Sequence, residues 1–184
     1  MQTQIVIRKA TIKGSLFLSY SFDQIEPNVK NTINTSSDAP IHDDLRNAFR
    51  KLVPHFAYVS ELVKEEDLIE KAIKNPEEYL FDREDEKDQT FYKMKVFSFE
   101  IIEKDGYEKI KISGSKQLET LKEISFSIPT INLGDDAYKF HNELEEVVTE
   151  LKEEVSAYMQ GKTAPKAQTE MFGDDDFEDD GEEI

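Results

Sequence analysis

The chain has three histidines, His42, His55 and His141, and no cysteine. None of the histidines has a second one at metal-ligand spacing, and there is no H-E-x-x-H run, so a zinc site has no support. His42 precedes Asp43 and Asp44 at a helix start, where a capping or surface role is the ordinary one. His141 follows Phe140 on a helix and reads as partly exposed. Without cysteine there is no disulfide, thiolate ligand or sulfur nucleophile. The seven glycines are scattered at turns, with no G-x-G-x-x-G, no phosphate loop and no G-x-S-x-G. Carboxylates are abundant, and metal-dependent nucleases use convergent ones. Asp105, Glu108 and Lys111 have the right types. Asp105 belongs at a hairpin tip in solvent, however, and with 40 acids in 184 residues such triplets arise by composition. The expectation is a non-enzymatic protein without metal or cofactor.

Nucleic-acid binding has a different set of candidates. Lys104, Lys109, Lys111 and Lys116 form a basic stretch near Phe97, Phe99 and Tyr107. Small β domains stack single-stranded bases on aromatics over such a groove. The competing reading places the aromatics in the core and the lysines on the solvated face of the same hairpin, and the alternation favours it.

The C-terminal residues carry the sharpest signal. Gln168-Thr169-Glu170-Met171-Phe172 reads Q-x-acid-M-F. It resembles the pentapeptide by which bacterial DNA polymerases and repair proteins bind the sliding clamp. The resemblance implies that Met171 and Phe172 enter an apolar pocket while Gln168 hydrogen-bonds at its edge. Thr169 stands where leucine is usual. The acid run from Asp174 to Glu183, with Phe177 inside it, resembles the tails of bacterial and phage single-stranded-DNA-binding proteins, which recruit replication partners and compete with DNA. Those tails end in an aromatic residue, and this one ends in Ile184. The layout as a whole resembles a group of small acidic proteins encoded by bacteriophages and prophages, through Pro40-Ile41-His42-Asp43-Asp44-Leu45 and the Q-x-x-M-F tail. The group has no assigned activity, so it implies a genomic setting more than a mechanism; the expected location is the cytoplasm of a bacterial cell.

The elements that must carry these residues are legible in part. Ile5, Ile7 and Ala10 alternate with polar neighbours, Lys13-Gly14-Ser15 marks a turn, and Leu16, Leu18, Tyr20 and Phe22 alternate again. That predicts an N-terminal hairpin. Asp23 to Ser37 is rich in Asn, Ser, Thr and Asp and reads mostly as loop, with a short extended piece around Val29 to Ile33. A helix should begin between Asp38 and Asp43, with Asp38 as N-cap. Its apolar set is Leu45, Phe49, Leu52, Phe56, Val59 and Val63, kinked or broken before Pro54. A second helical piece spans Glu66 to Lys74. Residues 82–90 form a charged loop. Three strands follow, with Asp105-Gly106 as a tight hairpin turn and Pro129 closing the last. A long helix, capped by Asp135 or Asp136, runs to about Gln160 with an apolar stripe of Phe140, Leu144, Val147, Leu151, Val155 and Tyr158. Gly161 stops it.

The length fits one domain, residues 1–160, followed by an acidic tail, residues 161–184, too polar to offset its ordering entropy. The expected class is α+β: an antiparallel sheet of about five strands covered by the kinked helix and the long one. The formal charge is −17; without the tail's eight terminal acids and the +1 of residues 161–170, the body still carries −10. Such a body argues against tight nonspecific grip on a phosphate backbone. No stretch reaches the roughly 20 apolar residues of a membrane span. The N-terminus lacks a signal-peptide layout. These features together point to an accessory of bacterial or phage DNA replication or recombination that recruits a partner such as the sliding clamp through Gln168, Met171, Phe172 and Phe177. The alternatives are a single-stranded-DNA-binding protein with a regulatory tail, using Lys104, Tyr107, Lys109, Lys111 and Lys116, and an acidic anti-defence inhibitor that mimics nucleic acid. A homo-oligomer stays open, because the long helix's stripe can pack within the chain or against a twin.

Overall fold

A computed structural model describes residues 3–81 and 90–165. The predicted motif residues Gln168, Met171, Phe172 and Phe177, and most of the charged loop, lie outside them. The fold is α+β, as expected, with seven antiparallel strands: β1 Gln4–Lys13, β2 Phe17–Glu26, β3 Val29–Pro40, β4 Met94–Lys104, β5 Tyr107–Gln117, β6 Glu123–Ser127 and β7 Ile131–Asn132. They are ordered β3-β2-β1-β4-β5-β6, with β7 pairing the start of β5 beyond β6. The β4–β5 turn has positive φ at both Asp105 and Gly106, +57° and +78°, which is the twist a two-residue hairpin needs.

The sheet exceeds the expected five strands at two places. The stretch read mostly as loop after Asp23 is instead the end of β2 and the twelve-residue β3, paired with β2 from Glu26↔Val29 to Phe17↔Pro40. Its Asn, Thr and Ser content reflects its place at the sheet edge. Most of β3 is exposed, so backbone hydrogen bonds rather than apolar side chains hold it, and a polar edge resists pairing with other chains. The last predicted strand divides into β6 and β7 around Pro129, which has no N–H for a ladder.

Four helices cover one face: α1 Asp43–Lys51, α2 Val53–Val59, α3 Glu66–Lys74 and α4 His141–Met159. The break before Pro54 is real. Leu52 ends α1 and begins α2, and the proline sits in the first turn of α2, where no N–H is required. The N-caps differ from expectation. Asp38 belongs to β3, and His42 caps α1, its Nδ1 accepting from the Asp44 N–H at 3.2 Å. Asp135 accepts from the Ala137 N–H in a turn, and α4 begins six residues later. Tyr138 and Phe140 explain the delay. They pack in an aromatic cluster with Tyr58, and Tyr138 also meets His55, which fixes the chain before it can coil.

The core lies between sheet and helices. Ala10, Leu18, Phe99, Ile110 and Ile112 from the sheet meet Leu45, Phe49, Leu52, Phe56, Leu144, Leu151 and Val155 from the helices. The stripe of α4 is spent inside the chain, on α1 and the sheet, with Val148 fully buried where Val147 is only half-buried. At Gly114 the β5 backbone passes so close to β4 and α2 that a Cβ would collide with the Lys95 carbonyl and stand 3.0 Å from the Phe56 ring. Beyond the core, Tyr158 donates to the Ala39 carbonyl at 2.5 Å, and Lys162 bridges Asp44 and Glu154 at 2.7 and 2.8 Å. These contacts lash the end of α4 to the start of α1.

Candidate functional site

The predicted basic stretch lies on β4 and β5. Lys104 faces Tyr107 across the hairpin tip, Lys111 is registered with Glu100, and Lys116 with Met94. Glu100 also lies 3.9 Å from Lys9, and Glu108 is 3.3 Å from Lys152. The lysines are therefore interleaved with carboxylates. Phe99 is buried beneath them on the helix side, and Tyr107 stands 65% exposed at the tip. The face of the sheet away from the helices is rich in hydroxyls, with Thr11–Ser98 and Ser113–Ser127 each 2.7 Å apart. Asp105, Glu108 and Lys111 are spread along the hairpin, with Asp105 in its turn. No group of three metal-ligating side chains converges among the described residues.

The structure also forms a cavity of about 580 Å³ that the sequence did not announce. One wall is α1, whose Arg46, Phe49 and Arg50, followed by Val53, recur on one face; Leu45, Ala48 and Leu52 turn into the core. The opposite wall is the start of β4, with the 3-10 turn Phe91–Lys93 before it. The register between β4 and β5 slips between Val96 and Ser98, leaving Phe97 as an extra residue. This bulge is why the neighbours Val96 and Phe97 both line the cavity, instead of pointing to opposite faces. Leu80, from the π-helical turn Glu77–Phe81, and Ile12 and Ile41 complete the apolar lining.

Three polar groups matter here. Arg50 donates to the Leu80 carbonyl at 3.1 Å and so ties the π turn to α1. Arg46 Nε and Tyr92 Oη are buried and without a hydrogen-bond partner among the described residues. Leaving a buried donor unpaired costs about 1–3 kcal/mol, more for a charged group. Two such groups in the wall of one cavity are therefore unusual. Lys95, at the edge, is paired with Glu123 at 2.9 Å.

A third buried titratable group stands apart from the cavity. His55 is wholly buried, its Nδ1 2.8 Å from the Tyr138 hydroxyl and its Nε2 without a partner. Burial lowers its pKa to about 3, so it is neutral at physiological pH. On β2, one strand in from the β3 edge, Asp23 is also buried. Burial pushes its pKa up, but hydrogen bonds from Thr32, Arg8 and Lys30 outweigh this and hold it at about 2. Both are structural groups.

The last described residues lie beside the cavity. After Gly161, at φ +101°, Thr163 pairs with Ile41 as an isolated bridge, and the Ala164 N–H donates to the Pro40 carbonyl at 3.0 Å. Pro165 is the last described residue, three positions before Gln168. None of the described helices is long and apolar enough to cross a membrane. Comparison with protein-family models, with curated proteins and with solved structures found no match.

Proposed function

We propose that this chain is a non-enzymatic accessory of bacterial or phage DNA replication or recombination, and that it recruits a partner of the sliding-clamp type through Gln168, Met171 and Phe172. The observation that carries the reading is where the motif falls. The body holds the chain as far as Ala164, by the Ile41–Thr163 bridge and the Lys162 ion pairs, and the Q-x-acid-M-F run begins within a few residues. An address placed directly after a fixed exit point can engage a partner without rearranging the body. The adjacent apolar pair Met171-Phe172 supplies the anchors that such short peptides need. The test is capture of purified bacterial sliding clamp by the immobilised full chain. The wild type should bind, and the double variant Met171→Ala, Phe172→Ala should lose binding. Equal capture by both removes the proposal.

A second reading, an acidic inhibitor of a basic partner, draws on α4. Its outer face carries Glu145, Glu146, Glu150 and Glu153 along successive turns, and Glu150 is committed in part to Lys51 at 2.8 Å. Such a stripe attracts basic surfaces over a Debye length. This reading requires binding that survives the Met171→Ala, Phe172→Ala change and falls with charge reversal on α4.

A further inference from the structure

We propose that the cavity between α1 and the start of β4 is a binding site for a small organic anion: one carboxylate or phosphate on a compact aromatic or branched apolar body. The inference is independent of the tail. The cavity is a half-open cleft of about 580 Å³ between α1 and the start of β4. It lies within the roughly 300–1,000 Å³ range of small-molecule pockets. Its walls are mostly apolar and rich in rings, with Phe49, Phe91 and Phe97 among them. These favour a flat or branched body and disfavour a sugar or a polyamine.

The polar part of the ligand follows from what is left unpaired. An arginine side chain only donates, so the group that satisfies Arg46 Nε must accept. A guanidinium is a cation, so an anion is favoured over a neutral carbonyl. Carboxylate and phosphate both present two oxygens to the Nε–Nη edge of a guanidinium. Tyr92 Oη, also buried and unpartnered, supplies a further donor to the same acceptor group or to the ligand body. Arg50 already serves the Leu80 carbonyl and Lys95 already serves Glu123. Arg46 therefore sets the charge the ligand must bring, and a single anionic group matches it.

The experiment uses the full chain and the fluorescent probe 8-anilinonaphthalene-1-sulfonate, an anion on an aromatic body, beside its uncharged relative N-phenyl-1-naphthylamine. The sulfonate should bind at one saturable site and more tightly than the neutral amine. Arg46→Gln should weaken the sulfonate at least about tenfold, the scale of a lost charge-assisted hydrogen bond, and Tyr92→Phe about threefold. Neither change should alter binding of the amine. Arg46→Lys, which keeps the charge and loses the fork, should fall between wild type and Arg46→Gln, and it reads the same effect if the glutamine variant does not fold. Displacement of the probe by benzoate or by phenyl phosphate then tells which anion the site prefers. Sulfonate binding that is unchanged in Arg46→Lys and Tyr92→Phe, or that neither acid displaces, overturns the proposal.

Discussion

At the scale of single residues, two buried ionisable groups tie stability to pH in separate ranges. His55 has a folded-state pKa of about 3, below the roughly 6.5 of an unfolded histidine, because burial disfavours its charged form. Its neutral form is what the fold accepts. The stability this provides is complete above the unfolded value and is lost as pH falls from there toward 3, at up to about 1.4 kcal/mol per pH unit. Thermal melts should therefore show a falling transition temperature between pH 7 and 4.5, and His55→Gln should flatten that slope. Equal slopes would mean that another group carries the dependence. Asp23 acts lower. Its pKa is depressed to about 2, so its contribution is present above the ordinary carboxylate range and lost only as pH falls toward that value. At neutral pH, Asp23→Asn leaves Arg8 without its 2.6 Å partner and should cost about 3–5 kcal/mol in urea unfolding, as other broken buried pairs do. A loss under 1 kcal/mol would show that Lys30, Glu103 and solvent already satisfy these groups. The sequence showed neither residue's role. His55 lies on a helix with no partner nearby in the chain, and Tyr138, which it meets, is 83 positions away. Asp23 sits in a stretch whose polarity read as loop.

At the scale of elements, local chemistry was legible and long-range placement was not. Glu66–Lys74, the break before Pro54 and the Asp105-Gly106 turn follow from periodicity, proline geometry and turn preference, all of which act over a few residues. β3 did not follow, because an edge strand is stabilised through its backbone and carries no apolar period to read. The bulge at Phe97 was equally hidden. Alternation put Phe97 on one face with Phe99 and Ile101, and the slip in register instead turns it into the cavity wall beside Val96. The cavity draws on β1, α1, α2, the π turn, the 3-10 turn and β4, so no single segment could signal it. Gly114 is another case, an ordinary turn glycine in sequence and a close approach in the fold. Gly114→Ala would force a methyl group against the Lys95 carbonyl and the Phe56 ring. Denaturant unfolding should register a loss of about 1–3 kcal/mol, the range for overpacking a core. An unchanged midpoint would mean that β4 and β5 separate there with little resistance.

At the scale of the whole molecule, the described body and the residues that follow it are proposed to play different roles. Among the described residues the core closes within 3–165, and the last of the contacts described are those of Lys162, Thr163 and Ala164. The residues beyond Pro165 contain the proposed address, nine acids and Lys166. They carry a formal −8 of the total −17, so their removal lowers the molecule's self-repulsion and leaves every described contact in place. A chain ending at Pro165 should accordingly melt within about 2 °C of the full chain at moderate salt, where a change of 1 kcal/mol would move the transition by roughly 2–8 °C. The same shortened chain should fail to capture the sliding clamp and should bind the sulfonate probe as the full chain does. Those three readouts separate the possibilities. Loss of several degrees would mean that the terminal residues complete the body. Clamp capture without them would move the address into the body. Tighter probe binding on truncation would mean that the acidic residues after Pro165 compete for the site that Arg46 lines.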